Sequence, residues 1–153
     1  MKKTKWLIAF AGENPCLHCG ACCAHYRVSF YWGEADPTMG GNVPQKLTEE
    51  LTEFRRCMRG TNQNHPRCIA LQGEIGETVR CSIYSARPST CRQAGFTYKA
   101  GVLHISPEEF ERCTQARAAC SLPPIPVLKT GLTVSRHLQP GKAKRPHRRR
   151  PYA

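Results

Sequence analysis

Apolar residues recur at every second position in two stretches of the chain, which predicts short strands with one buried face. The first stretch spans residues 26–32 and the second spans residues 78–84. In the second stretch, the alternation directs the side chain of Cys81 toward the interior. Residues 95–105 predict a hairpin that turns at 99–101.

Apolar residues at helical spacing predict two main helices. Pro44 opens the first helix, which is expected to end near Gly60. Its predicted apolar face consists of Leu47, Leu51, Phe54 and Met58. The second helix begins after Ser106, where Ser-Pro-Glu-Glu forms a capping box with proline at the first helical position. Cys113 lies on this second helix.

The composition leaves a modest core and an excess of cysteine. The chain has 153 residues, the size of one ordinary domain, with 8% aromatic residues and 10 cysteines. The apolar run at 6–11 is too short for the roughly 7–15 apolar residues of a secretory signal, and we expect residues 6–10 to pack on the core. No stretch is long enough to span a membrane. We therefore predict a cytoplasmic protein with reduced thiols, in which dense cysteines indicate metal binding or catalysis.

Most of the net charge of +12 belongs to the C-terminal end of the chain. Residues 129–150 contain eight basic residues and no acids, whereas residues 1–128 contain fifteen basic and eleven acidic residues. Prolines and the lack of an apolar pattern predict a disordered basic tail over residues 126–153. Such a tail could bind RNA, DNA or another polyanion weakly through residues 129–150, or act only as a solubilising extension.

Four of the 10 cysteines lie within residues 16–23, in the order Cys-x-x-Cys-x-x-Cys-Cys. Each Cys-x-x-Cys pair allows a tight turn to bring two thiolates onto one soft cation. Gly20 lies in the second turn, where a positive φ or a close backbone approach is easiest without a Cβ. Cys22 and Cys23 are adjacent, and neighbouring side chains of an extended segment point to opposite sides. Their sulfurs are therefore expected to serve different partners.

Cys91 allows two interpretations, because Arg87 and Arg92 flank it and could stabilise its thiolate. In an enzyme, Cys91 would be a nucleophile assisted by His25 or His104. In a metal site, it would be a ligand whose arginines offset the charge of several thiolates. The large number of other cysteines and the absence of a nucleophile elbow or phosphate loop favour the ligand.

The order of the cysteines resembles that of the YkgJ-type cysteine-cluster family, which is described as a zinc- or iron-chelating domain. The resemblance rests on the run at 16–23, on Cys68, on the stretch Cys-x-Ile-Tyr-x-x-Arg-Pro-x-x-Cys-Arg at 81–92 and on Cys113. It covers residues 14–125 and implies metal chelation; a related cluster occurs in flagellin lysine N-methylases, which are associated with an iron–sulfur centre. Carried over by position, the implied metal ligands are Cys16, Cys19, Cys22, Cys23, Cys68, Cys81, Cys91 and Cys113.

Two cysteines, Cys57 and Cys120, fall outside this pattern and are expected to be packing residues. Thiolate-only sites suit Zn²⁺ and iron, as a single ion or an iron–sulfur cluster, and exclude Mg²⁺ and Ca²⁺. Eight thiolates could hold two tetrahedral zinc ions, one cluster with spare ligands, or one ion with several structural thiols.

These observations predict a small, loop-rich α+β domain organised around a cysteine-ligated metal centre, with residues 1–13 as an N-terminal segment, 14–125 as the metal-binding domain and 126–153 as the tail. The first functional hypothesis is a zinc- or iron-chelating protein whose metal is largely structural or redox-poised. One alternative is an iron–sulfur protein that transfers electrons or forms part of a methyltransferase-type enzyme. A second alternative is a metal-stabilised module that binds nucleic acid through the basic tail. Neither a substrate nor an oligomeric state follows from the sequence.

Overall fold

The computed structural model of the protein describes residues 8–10 and 13–125. The basic tail predicted over 126–153, with its polyanion-binding stretch, lies outside the described residues, as do residues 1–7 of the N-terminal segment. None of the helices in the described ranges is long and apolar enough to cross a membrane. The cytoplasmic location stays a prediction.

Short strands and short helices make up the fold, and the predicted small α+β architecture is confirmed. The strands are β1 (Ile8–Phe10), β2 (Ser29–Tyr31), β3 (Thr48–Thr52), β4 (Arg55–Met58), β5 (Leu71–Gly73), β6 (Val79–Cys81), β7 (Thr97–Lys99) and β8 (Val102–Ile105). The α-helices are α1 (Ser89–Gln93) and α2 (Pro107–Ala119). Single-turn 3₁₀-helices cover Pro15–His18, Cys22–Ala24, Trp32–Ala35, Pro37–Met39, Gln45–Leu47 and Tyr84–Ala86.

The strands form three small antiparallel sheets, in the orders β1-β8-β7, β2-β4-β3 and β5-β6. Two groups of buried side chains hold these sheets and the connecting loops together. The larger group, which we call the main core, consists of Val28, Phe30, Ala35, Val43, Met58, Cys68, Ala70, Leu71 and Val79. The smaller group, which we call the satellite core, consists of Cys19, Ala21 and Ala116.

The helix predicted from Pro44 to Gly60 is wrong, because this segment forms the β3–β4 hairpin. Strand β4 pairs with β3 on one side and with β2 on the other, which buries Met58 in the main core. Phe54, a member of the predicted helical face, lies in the turn and is 62% exposed. Pairing with a strand from earlier in the chain thus overrides a local spacing that fits a helix.

The second predicted helix and the predicted 95–105 hairpin are confirmed. Ser106 caps α2, since its side chain accepts a hydrogen bond from the Glu109 backbone N–H at 3.2 Å. The hairpin joins β7 to β8 through Ala100 and Gly101, which both have positive φ, at 51° and 76°. Two successive positive values are what a two-residue hairpin turn of type I′ requires.

Candidate metal centre

The cysteine run forms a compact turn that lies against the β5–β6 hairpin. The Asn14 side chain accepts a hydrogen bond from the backbone N–H of Cys16 at 3.0 Å and so caps the 3₁₀-helix Pro15–His18. Gly20 has a φ of 73°, and a Cβ there would lie 3.1 Å from the side chains of both Ile75 and Val79. The run therefore needs glycine both for its backbone conformation and for its close approach to the hairpin, as the sequence predicted.

Three thiols of the cysteine run and one thiol of α2 lie close enough for their charges to influence one another. We call them thiol group A: Cys16, Cys19, Cys22 and Cys113. Burial, with the charges of Cys22 and Cys19, raises the pKa of Cys16 to about 11. A hydrogen bond between the thiols of Cys22 and Cys113 raises the pKa of Cys22 and lowers that of Cys113. Helix α2 thus brings a fourth thiol to three thiols of the run.

The remaining four ligand candidates influence one another in the same way, and we call them thiol group B: Cys23, Cys68, Cys81 and Cys91. Burial, with the charges of Cys68 and Cys91, raises the pKa of Cys23 to about 12. Burial, with the charges of Cys68 and Cys81, raises the pKa of Cys91 to about 12. The backbone N–H of Cys68 also donates to the Cys23 carbonyl at 2.8 Å, which joins two chain segments inside the group.

The boundary between the two groups runs between Cys22 and Cys23. These residues lie in the 3₁₀-helix Cys22–Ala24 and not in the extended segment that the sequence suggested. Because a 3₁₀-helix has three residues per turn, successive side chains still point about 120° apart. The two adjacent thiols therefore face different groups, and the charge of Cys22 acts on Cys23 across the boundary.

Group B is completed by a short helix. Helix α1 carries Cys91, and both of its first two residues are fastened to neighbouring elements. The Glu34 carboxylate accepts hydrogen bonds from the backbone N–H and the hydroxyl of Ser89, each at 2.7 Å. The Thr90 hydroxyl donates to the Ser29 carbonyl at 2.7 Å. These contacts fix α1, and with it Cys91, against β2 and the loop that follows β2.

Cys91 as a metal ligand and Cys91 as a histidine-assisted nucleophile both stay predictions, but the neighbours of Cys91 bear on the choice. The charges that act on Cys91 come from Cys68, Cys81 and the two flanking arginines. His25 instead makes an edge-to-face contact with the Tyr26 ring, with 4.6 Å between ring centroids. Cys91 is thus set among thiols and cations, as expected for a ligand.

Sequence reasoning missed two side chains that adjoin group A, Tyr26 and Arg117, and expected a third, Cys120, only to pack. Burial, with the charge of Cys22, raises the pKa of Tyr26, whose hydroxyl donates to the Arg112 carbonyl at 2.8 Å. Arg117 lies close enough to lower the pKa of Cys16. Cys120 lies 3.9 Å from the Ala21 carbonyl, and the charges of two group A thiols reach it. Helical spacing was an available signal for Arg117, which follows Cys113 by four residues on α2, and no comparable signal points to Tyr26.

The donor sets of both groups suit a thiophilic metal, since four cysteines can complete the coordination of Zn²⁺ or of an iron–sulfur cluster. All 10 cysteines are free of disulfides. Within residues 8–10 and 13–125, no three cysteine, histidine or acidic side chains converge closely enough to hold one ion as they stand. In the described part of the chain, groups A and B are therefore sets of thiols whose charges influence one another, and not formed ligand clusters.

Comparison with known proteins identifies related cysteine-rich chains. Residues 15–121 match the family described as "CxxCxxCC: Putative zinc- or iron-chelating domain". The chain is 51% identical over 112 residues to "Uncharacterized protein YkgJ" of Escherichia coli O157:H7, which covers 73% of the chain and 96% of that relative. It is 49% identical over 115 residues to a "Putative ferredoxin" of Acinetobacter calcoaceticus, which covers 75% of the chain and 81% of that relative. No solved structure matches the chain.

Proposed function

Since the chain belongs to the CxxCxxCC family of zinc- or iron-chelating domains, we propose that it holds its metal in two separate centres of four cysteines each. Centre A uses thiol group A and centre B uses thiol group B. The observation that carries this proposal is the division of the eight thiols into two sets of four at the Cys22–Cys23 peptide. Four thiolates per centre match the coordination number of Zn²⁺ and of a four-iron cluster.

The first role that we propose for the metal is structural. Centre A links the cysteine run to α2, and centre B links the run to the segment around Cys68, to β6 and to α1. The described part of the chain is built from strands of three to five residues. Such short elements bury little apolar area individually. Metal–thiolate bonds that join the cysteine run to other segments of the chain supply folding free energy directly.

Iron–sulfur chemistry is the alternative role, and two observations favour it. One curated relative, 49% identical over 115 residues, carries the name "Putative ferredoxin". In two-cluster ferredoxins, the fourth cysteine of the Cys-x-x-Cys-x-x-Cys-x-x-x-Cys-Pro run serves the other cluster. Cys23 is likewise the fourth cysteine and lies with group B, although it follows Cys22 directly, without the three-residue spacer or the proline. A cluster in each centre would supply one-electron redox chemistry.

Metal analysis of anaerobically purified protein tests the proposal and separates its two roles. Elemental analysis is combined with the visible spectrum and with the measurement of acid-labile sulfide. A structural zinc protein should contain about two zinc ions per chain and be colourless. An iron–sulfur protein should be brown, with about eight iron and eight sulfide per chain if both clusters have four irons. Failure to take up zinc, iron or an iron–sulfur cluster in reconstitution would refute both roles.

A pair of matched variants tests the assignment of ligands. Cys19→Ser removes a buried member of group A and should lower the metal content by about half. Cys57→Ser alters a cysteine that is equally inaccessible but donates to the Glu49 carboxylate at 3.6 Å, outside both groups. This control should retain the full metal content even if it lowers stability. Equal loss of metal from both variants would overturn the assignment.

A further inference from the structure

We propose that each centre has its own pair of arginine counter-charges, Arg112 and Arg117 for centre A and Arg87 and Arg92 for centre B, and that these pairs set the metal affinity of the two centres. This inference rests on the proposed function. Four thiolates around Zn²⁺, or around an oxidised four-iron cluster, leave a net charge of about −2. Two guanidinium groups per centre match that charge.

The positions of the arginines along the chain are related between the two centres. On α2, Arg112 directly precedes Cys113, and Arg117 follows that cysteine by four residues, which places it on the same helical face. At α1 the order is reversed, since Arg92 directly follows Cys91 and Arg87 precedes it by four residues. In each centre, the ligand that a helix carries thus has one adjacent arginine and one arginine four residues away.

Backbone carbonyls, and not carboxylates, hold three of the four guanidinium groups. Arg87 donates to the Tyr84 carbonyl at 2.8 Å and lies 3.8 Å over the Tyr84 ring. Arg117 donates to the Pro123 carbonyl at 2.7 Å, and Arg92 donates to the Arg87 carbonyl. Within residues 13–125, none of these three forms a salt bridge with a carboxylate. Carbonyl contacts fix the position of a cation without neutralising it, so the positive charge remains for the thiolates.

Arg112 differs, because it already shares its charge. Its guanidinium lies 3.3 Å from the Glu109 carboxylate and 4.8 Å over the Tyr26 ring. The same carboxylate accepts a hydrogen bond from the Gly95 backbone N–H at 3.1 Å. We therefore expect Arg117 to be the more effective counter-charge of centre A.

In each centre, arginines lie close enough to a ligand thiol to influence its pKa. The positive charge of Arg117 lowers the pKa of Cys16, against the larger opposite effect of burial. Arg87 and Arg92 act in the same sense on Cys91. A guanidinium group this close to a ligand also lowers the Coulomb energy of a centre whose net charge is negative.

Zinc affinity measures the effect of the arginines directly. Metal-free protein, prepared without oxygen, competes with a chromophoric chelator for Zn²⁺. Arg117→Gln should weaken one of the two sites about tenfold at low salt, and the difference should shrink in about 1 M salt. Arg117→Lys should retain most of the wild-type affinity. Arg55→Gln is the matched control, because Arg55 donates to the Ser29 hydroxyl at 3.2 Å, and its affinity should be unchanged.

A Cys113→Ser background assigns each arginine to its centre, because only centre B then remains intact. In that background, Arg87→Gln should still weaken Zn²⁺ binding about tenfold, and Arg117→Gln should have no effect. The inference fails if the wild type binds two zinc ions and neither glutamine variant changes either affinity. It also fails if Arg117→Lys weakens Zn²⁺ binding as much as Arg117→Gln does and the loss of affinity does not depend on salt. That result would mean that Arg117 has a purely structural role. Wild-type protein that binds no zinc or iron at all would instead refute the proposed function.

Discussion

Thiol groups A and B contain the same donors in different surroundings. Cys68 of group B is part of the main core, and the other three thiols of the group pack against it. Cys19 of group A belongs to the satellite core, which has only three members, and two other residues of the group, Cys16 and Cys22, are exposed. Two sets of four thiols are therefore integrated into the packing of the fold to different degrees. Group B is part of the main core, whereas group A connects one helix to one loop.

The largest expected effect comes from the most buried member of group B. Cys68 is 7% exposed, so Cys68→Ser places a hydroxyl in the main core and removes a ligand of centre B. We expect the free energy of unfolding of the metal-loaded protein to fall by about 4 kcal/mol or more, measured by denaturant titration. Cys16→Ser, at the exposed edge of group A, should cost about 1–2 kcal/mol. A larger loss from Cys16→Ser would reverse the ranking of the two groups.

A smaller and more local effect is expected when group A loses its helical member. Cys113→Ser breaks the link between α2 and the cysteine run while leaving the contacts of group B in place. Amide hydrogen exchange should become about tenfold faster or more along α2 and stay near wild type in β4. An equal increase of the exchange rate in both elements would mean that α2 and the β2-β4-β3 sheet unfold as one unit.

The alkaline stability of the metal-free protein should reflect the raised pKa values of particular thiols in both groups. The pKa of Cys16 rises from its ordinary value of 9.0 to about 11, and those of Cys23 and Cys91 rise to about 12. Unfolded thiols therefore lose their protons first, so the folded state binds more protons and stability falls as the pH rises above 9. The fall should continue toward pH 12, where Cys23 and Cys91 ionise in the folded state.

Melting temperatures of metal-free variants between neutral pH and pH 12 check this expectation. Cys91→Ser removes a more strongly shifted thiol and should flatten the alkaline decline more than Cys16→Ser does. In zinc-loaded wild type, the thiolates are already formed and ligated, so the decline should be weaker. A steeper decline with zinc would contradict the sign of this linkage.

The elements predicted correctly are those with local physical signals. The cap at Ser106 and the hairpin turn at Ala100 and Gly101 depend on neighbouring residues, and both are found as expected. The segment 44–60 was assigned to a helix because its apolar residues recur at helical spacing. The segment instead forms the β3–β4 hairpin, and β4 also pairs with β2 from earlier in the chain, a pairing that leaves no local pattern.

The candidate ligands could be named from the sequence, but their division could not. The adjacency of Cys22 and Cys23 indicates only that the two sulfurs diverge. The packing of α2 and the β5–β6 hairpin around the run decides which distant cysteines lie near Cys22 and which lie near Cys23. That packing is tertiary structure, which the local sequence does not reveal. The arginines of α2 were overlooked for the same reason, since Arg117 is recognised as a neighbour of Cys16 only once the helix is in place.

The smallest effect is expected at Cys120, which adjoins group A without belonging to it. Its thiol donates to the Ala21 carbonyl at 3.9 Å, and a serine hydroxyl can donate to the same atom. Cys120→Ser should therefore change the free energy of unfolding by less than about 1 kcal/mol and leave the metal content unchanged. Cys19→Ser provides the contrast, because it removes a buried thiol whose charge acts on Cys16 and Cys113. If Cys120→Ser lowers the metal content as much as Cys19→Ser, group A contains five competing thiols and its ligands must be reassigned.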